Sequence, residues 1–301
     1  MTESGEPAWN PPTADPSPPP LRDLRSQLKV TRCEVTAAGV ATVWLHRPER
    51  RNSWTARMNA EFRAIMAALD RDPSVRVAVV TGTGTSFCVG ADSRALSGYV
   101  GAGTYDPGLP ADAARPGYGV RDEYDADLVW LWGLRIPVIA AVNGACAGVA
   151  VALAAYCDLR LAVRDAKVTV SSPRLGLPSE YGLSWVLPRL MGVTAAADLL
   201  LTGRVVLSQD LVPMGFFNSV HDPEDFDRAV RDRATTLALA SPAAVMTAKR
   251  QLYSDLLLSD PAASVRRSKF LTGELMKLPD YKEGVTALTE KRTPRFTTNR
   301  P

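Results

Sequence analysis

Apolar and polar positions alternate across Thr31 to His46, with Ala38-Gly39 between the two alternating runs, and this pattern predicts a β-hairpin. The period then changes. Met58, Phe62, Ile65, Met66 and Leu69 recur at helical spacing after Thr55, a residue suited to an N-cap, so a helix is expected over 56–70. VRVAVVT at 75–81 is apolar almost throughout, as a largely buried strand would be. Val138 to Val142 reads as another buried strand, Ala150 to Tyr156 as a helix of small residues, and Leu159 to Val163 as a further strand. A β, α, β succession of this kind argues for an α/β core with crossover connections. Helices are expected from there to the end, over 194–201, 225–240, 242–258, 262–277 and 281–291. Between strand and strand, residues 98–122 are rich in Gly, Pro, Asp and Ala without firm periodicity, and read as a long loop or mobile lid.

Composition narrows the picture. A chain of 301 residues, 46% of them hydrophobic, can bury a sizeable core. Residues 1–26 differ: seven prolines fall in the first twenty positions, apolar residues are few, and a disordered tail is expected. The apolar stretch from Leu134 to Leu161 contains Arg135, Asn143 and many small residues, so it reads as core, and no membrane partner is expected. Cys33, Cys88, Cys146 and Cys157 are widely spaced and form no CxxC pair. With only His46 and His221 to join them, no metal site is expected, and reduced thiols point to the cytoplasm. The net charge of +3 and the lack of a long Lys/Arg run argue against a nucleic-acid partner.

Two turns carry the candidate chemistry: Phe87-Cys88-Val89-Gly90-Ala91-Asp92 after one strand, and Asn143-Gly144-Ala145-Cys146-Ala147-Gly148-Val149 after another. Each hands a strand over to a helix, where backbone N–H groups lack helical acceptors and the positive end of the helix dipole lies. Two such N–H groups aimed at one point would stabilise a carbonyl oxygen that becomes negative, as in an enolate.

These residues resemble a known family. TGTGTSFCVGADS and IPVIAAVNGACAG, with CDLRLA nine residues on, are similar to the two oxyanion segments of the enoyl-CoA hydratase/isomerase (crotonase) family. RPERRNSW, LPRLMG, LLLTGR and EGVTALTEKRTPRF follow in that family's order, so the resemblance spans residues 30 to 297. It implies an α/β fold: a crotonase-like (ββα)n spiral core over 27–215 that binds acyl-CoA, and a C-terminal helical trimerisation region over 216–301. The implied assembly is a homotrimer or hexamer. The implied partner is an acyl-CoA thioester threaded between the two turns, with coenzyme A as part of the substrate and no separate cofactor.

Carried over by position, the oxyanion donors would be the N–H groups of Ala91 and Val149, with the Val149 side chain narrowing the pocket. Family hydratases use two glutamates around a water; Ala152 and Ser172 stand at those positions here. Neither is a general base. Glu180, in a stretch that resembles the isomerase-like branch, would then move a proton between carbons of an enoyl-CoA; its structural alternative is a cap on a helix beginning near Tyr181. Tyr181 and Trp185 would line an acyl pocket, and a serine nucleophile at Ser171 or Ser172 lacks a base. Arg50, Arg51, Ser53, Asp92 and Lys291 form the expected coenzyme A-contacting set, with Arg47 and Arg292 as further cations and Asp92 also fixing local hydrogen bonds. The leading expectation is an enoyl-CoA isomerase. A hydratase and an inactive acyl-CoA-binding protein are the alternatives.

Overall fold

The computed structural model describes residues 20–92 and 113–297. The predicted hairpin is formed by β1 (Thr31–Val35) and β2 (Val40–Leu45), paired antiparallel. β2 then pairs in parallel with β3 (Val77–Gly82), followed in the sheet by β5 (Val138–Val142), β7 (Leu159–Val163) and β10 (Ser219–His221). A second sheet runs β4 (Ser86–Cys88), β6 (Ala145–Ala147), β8 (Lys167–Thr169) and β9 (Val206–Leu207), its first three strands parallel. The chain alternates between the sheets, β3 to β4, β5 to β6 and β7 to β8, so each turn of a spiral adds one strand to each.

Burial explains the apolar runs. Ala78, Val80, Val138 and Ala140 face the main core, whereas Val77, Val79, Ile139 and Ala141 face a second cluster completed by Phe226, Val230 and Ala234. The central strands are therefore apolar on both sides, as parallel strands covered on both faces must be. Among the described residues, six helices complete the frame up to the C-terminal pair: α1 (Leu21–Leu24), α2 (Ala56–Arg71), α3 (Val149–Tyr156), α4 (Leu183–Thr202), α5 (Pro223–Ala238) and α6 (Pro242–Asp255). α7 (Pro261–Leu275) and α8 (Pro279–Glu290) follow. Thr55 caps α2 by accepting from the Met58 N–H at 3.1 Å.

Several expectations change. Residues 1–19 of the Pro-rich tail lie outside the described residues, but 20–26 are not disordered: α1 forms there, because Leu24 is buried against α2. No boundary falls at 215/216. β10 joins the core sheet and α5 covers its outer face, so the chain up to Ala238 belongs to the core. Helix α4 begins at Leu183, eleven residues before the expected start, with Pro188 inside it and Gly192 at φ 77° and ψ 158° breaking its path. By length and hydropathy α4 would suit a membrane span, yet it buries six residues, among them Leu183, Leu187 and Leu199, in the protein core. Of the expected loop, 98–112 lies outside the described residues. Residues 113–121 form turns that lead to a 3-10 turn at Asp122–Tyr124.

Candidate functional site

Because β4, β6 and β8 are adjacent and parallel, the segments leaving their carboxyl ends lie in a row. Those segments are Val89 to Ala91, Gly148-Val149, and Val170 to Ser172. Carboxyl ends of parallel strands are where such sheets gather ligands. Gly90 has φ 93°, and a Cβ built there would lie 3.1 Å from the Ala147 carbonyl oxygen and 4.0 Å from Gly148 Cα. The first two turns are thus in close approach, and glycine is what permits it. The Gly148 N–H in turn donates to the Thr169 carbonyl at 3.0 Å, which ties the second turn to the third strand end.

The backbone around Ala91 is fixed from one side. The Trp54 N–H donates to the Gly90 carbonyl at 2.8 Å, and the Asp92 N–H donates to the Trp54 carbonyl at 3.0 Å. In such a bridge the N–H of the middle residue points the other way. Ala91 is solvent-exposed, and its N–H donates to no described residue. Val149 is the first residue of α3, so its N–H has no intrahelical acceptor and sits at the positive end of the helix dipole. Its side chain packs in the main core.

The third strand end brings Ser172 and Glu180 together. Ser172 is buried, and its Oγ donates to Glu180 Oε2 at 2.9 Å. Glu180 does not cap α4: that helix starts at Leu183, Gly182 is its N-cap in the left-handed region, and no side chain caps it. Ala152 lies wholly buried within α3.

The expected coenzyme A contacts divide. Arg47 donates through Nη1 to the Ser53 carbonyl at 2.9 Å, to Ser53 Oγ at 3.0 Å and to Asp92 Oδ2 at 3.0 Å, and Ser53 Oγ donates to the same carboxylate oxygen at 3.0 Å. Ser53 and Asp92 are buried, so their side chains brace the first turn instead of facing a ligand. Asn52 adds to the brace by donating to the carbonyls of Thr83 and Ser86 at 2.9 and 2.8 Å. Arg50 is half-buried, Arg51 is exposed, and neither has an ion-pair partner among the described residues. Lys291 is exposed at the end of α8, and the segment after it is anchored by the Arg76 Nη2 to Phe296 carbonyl bond, at the start of β3.

A cavity of about 300 Å³ reaches Gly182, two residues past Glu180, and is walled by Glu123, Tyr124, Val129, Trp132, Tyr156, Trp185 and Leu257. Trp185 lines it as expected and Tyr181 does not. Tyr156 and Trp132 escaped the sequence reading, although the tryptophan-rich segment Val129–Gly133 carried a signal. Burial pushes the Tyr156 hydroxyl up to about 12, so it stays protonated and donates to the Tyr181 carbonyl at 3.0 Å. Burial likewise pushes the Cys88 thiol up to about 12, which removes it as a nucleophile. A groove of about 770 Å³ lies across the turns that enter β4, β6 and β8, at the opposite ends of those strands. Among the described residues, no cluster of His, Cys, Asp or Glu is arranged to hold a metal ion.

Fold and site together define a two-sheet ββα spiral with paired strand-to-helix turns. The model of the enoyl-CoA hydratase/isomerase family matches residues 35–299, and the chain belongs to that family. A probable enoyl-CoA hydratase of Rhodobacter capsulatus is 34% identical over 260 residues, covering 86% of this chain and 95% of that protein. The 1,2-epoxyphenylacetyl-CoA isomerase of Escherichia coli is 32% identical, with 86% and 95% covered. The crystal structure of a probable enoyl-CoA hydratase/isomerase from Mycobacterium abscessus superposes with a TM-score of 0.78 at 30% identity, covering 89% of this chain and 98% of that one.

Proposed function

We propose that the protein is an enoyl-CoA isomerase that shifts a double bond from C3–C4 to C2–C3 of an acyl-CoA thioester. The observation that carries this reading is the Glu180 carboxylate, held by Ser172 at the end of β8, in line with the turns that end at Ala91 and Val149. The thioester carbonyl accepts from the Ala91 and Val149 N–H groups. Glu180 takes a proton from C2, the electron pair moves onto the carbonyl oxygen as an enolate, and the two N–H groups stabilise the charge. When the carbonyl re-forms, the double bond settles between C2 and C3 and the same proton returns at C4. Composition is conserved, so one carboxylate suffices.

Arg50 and Arg51 meet the phosphates of coenzyme A in this reading. The working form is a homotrimer or hexamer, which would cover the exposed Val265 and Phe270 of α7, a helix that buries nothing in one chain. The name of the R. capsulatus relative favours a second reading, hydration of a 2-enoyl-CoA, with Glu180 activating the water. Incubation with 3-enoyl-CoA and 2-enoyl-CoA separates them. The proposal expects double-bond migration that falls by roughly 10²-fold or more in Glu180→Gln. Hydration of the 2-enoyl substrate would establish the second reading, and tight binding without turnover would mark an inactive binding protein.

A further inference from the structure

Four aromatic side chains wall the cavity that reaches Gly182, with Glu123 beside them: Tyr124, Trp132, Tyr156 and Trp185. Their rings are arranged around Trp132. Tyr156 meets it edge-on at 5.2 Å between centroids, Tyr124 does so at 6.4 Å, and Trp185 is tilted against it at 5.7 Å. Tyr253 stacks on Trp132 at 4.4 Å with 12° between planes, covering one face of the indole.

This backing is fixed. The Tyr253 hydroxyl donates to Asp158 Oδ1 at 2.7 Å, and the buried Lys249 ammonium donates to Asp158 Oδ2 and to the carbonyls of Leu131 and Ile136, each at 2.9 Å. Trp132 is therefore stacked on a ring that a buried network holds in place. Trp185 is held from the other side by Arg189, whose guanidinium lies 3.8 Å from its ring centroid.

We infer that this cavity selects an aromatic acyl group, a planar ring joined to the thioester through a short unsaturated linker. The inference rests on the acyl-CoA reading given under Proposed function and specifies its substrate. Three observations carry it. A dry cavity of about 150 Å³ suffices for benzene, so about 300 Å³ holds a ring and the carbons that join it to the reacting centre. Rings set edge-on and tilted about one space offer an entering ring the geometries aromatic pairs prefer, which a linear chain of equal carbon number cannot use. The cavity also begins where the chemistry ends: Gly182 lines it two residues after Glu180, and Tyr156 bonds the carbonyl of Tyr181. An acyl group with C2 to C4 at Glu180 places its next carbons among these rings.

The test uses the full chain and two thioesters of ten acyl carbons that contain no double bond to move, 4-phenylbutanoyl-CoA and decanoyl-CoA, with free coenzyme A as reference. Dissociation constants come from calorimetry. We expect 4-phenylbutanoyl-CoA to bind roughly tenfold more tightly than decanoyl-CoA. That ratio should fall toward one in Trp185→Leu, a part-exposed position, and should be kept in Trp185→Phe, which restores a ring. Decanoyl-CoA binding as tightly as 4-phenylbutanoyl-CoA, or a ratio unmoved in Trp185→Leu, would overturn the inference while leaving the acyl-CoA reading intact. If neither thioester binds more tightly than free coenzyme A, the acyl-CoA reading fails and takes the inference with it.

Discussion

Ser172 and Glu180 are eight residues apart in sequence and joined by a 2.9 Å hydrogen bond. In sequence Ser172 reads as the loss of a carboxylate, because family hydratases carry a glutamate at its position. In space it orients the carboxylate that remains. Pro173, Pro178 and Gly176 at φ 72° make the intervening path irregular, and no periodicity foretells where such a loop returns. The two turns that end at Ala91 and Val149 were legible because a glycine turn after an apolar run is a local pattern, whereas the bracing by Ser53 and Asp92 depends on where the Arg47 side chain goes. Removing the serine tests the contact. Ser172→Ala should lower kcat for isomerisation about five- to tenfold with little change in KM, and Ser172→Thr should recover much of it. An unchanged kcat in Ser172→Ala would deny Ser172 that role.

The elements of the first sheet, five or six residues long at its centre, are long enough to show their pattern. Those of the second are not. β4, β6 and β8 have three residues each, too few for alternation to register, so the sequence shows them only as the turns around Cys88 and Cys146 and leaves β8 unmarked. Yet their carboxyl ends build the site. The loop into α4 is equally constrained: Gly182 has φ 66°, and a Cβ there would lie 2.6 Å from the Tyr156 hydroxyl. Gly182→Ala should therefore cost about 1–3 kcal/mol from backbone strain, with further loss as Tyr156 is displaced. Thermal unfolding should show a drop of roughly 2–4 °C for each kcal/mol in a chain of this size. An unshifted transition would mean the loop tolerates a side chain.

Across the whole molecule, distant segments are joined by buried polar clamps that no local pattern announces. Glu61 on α2 accepts from the N–H groups of Lys29 and Val30, from the Thr31 hydroxyl and from Arg57. Burial by itself would raise this carboxyl, but the bonds from Val30, Thr31, Lys29 and Arg57 together hold it below its ordinary value of 4.5. The stabilisation is present above 4.5 and is lost as pH falls through the lower folded value. Glu61→Gln should therefore be less stable by roughly 2 kcal/mol at neutral pH, with the gap to the unsubstituted protein closing in acid. Urea unfolding at neutral pH and about pH 3 measures both limbs; a gap that widens in acid would contradict the sign. The expected boundary at 215/216 failed on the same scale, because β10 is three residues long and its partner β7 lies far back in the chain. Assembly is also a property of the whole. Light scattering should give three or six times the 32.4 kDa chain mass, and Phe270→Glu, on the exposed face of α7, should reduce it.

The central claim is that Glu180 carries one proton from C2 to C4 over an enolate held by Ala91 and Val149. The most direct measurement follows a 3-enoyl-CoA carrying two deuterons at C2, with the product read by mass and by NMR. The account predicts a conjugated 2-enoyl-CoA of unchanged composition with deuterium at C4, formed roughly 10²-fold or more slowly in Glu180→Gln. A product heavier by one water, or conversion undiminished in the variant, would contradict it.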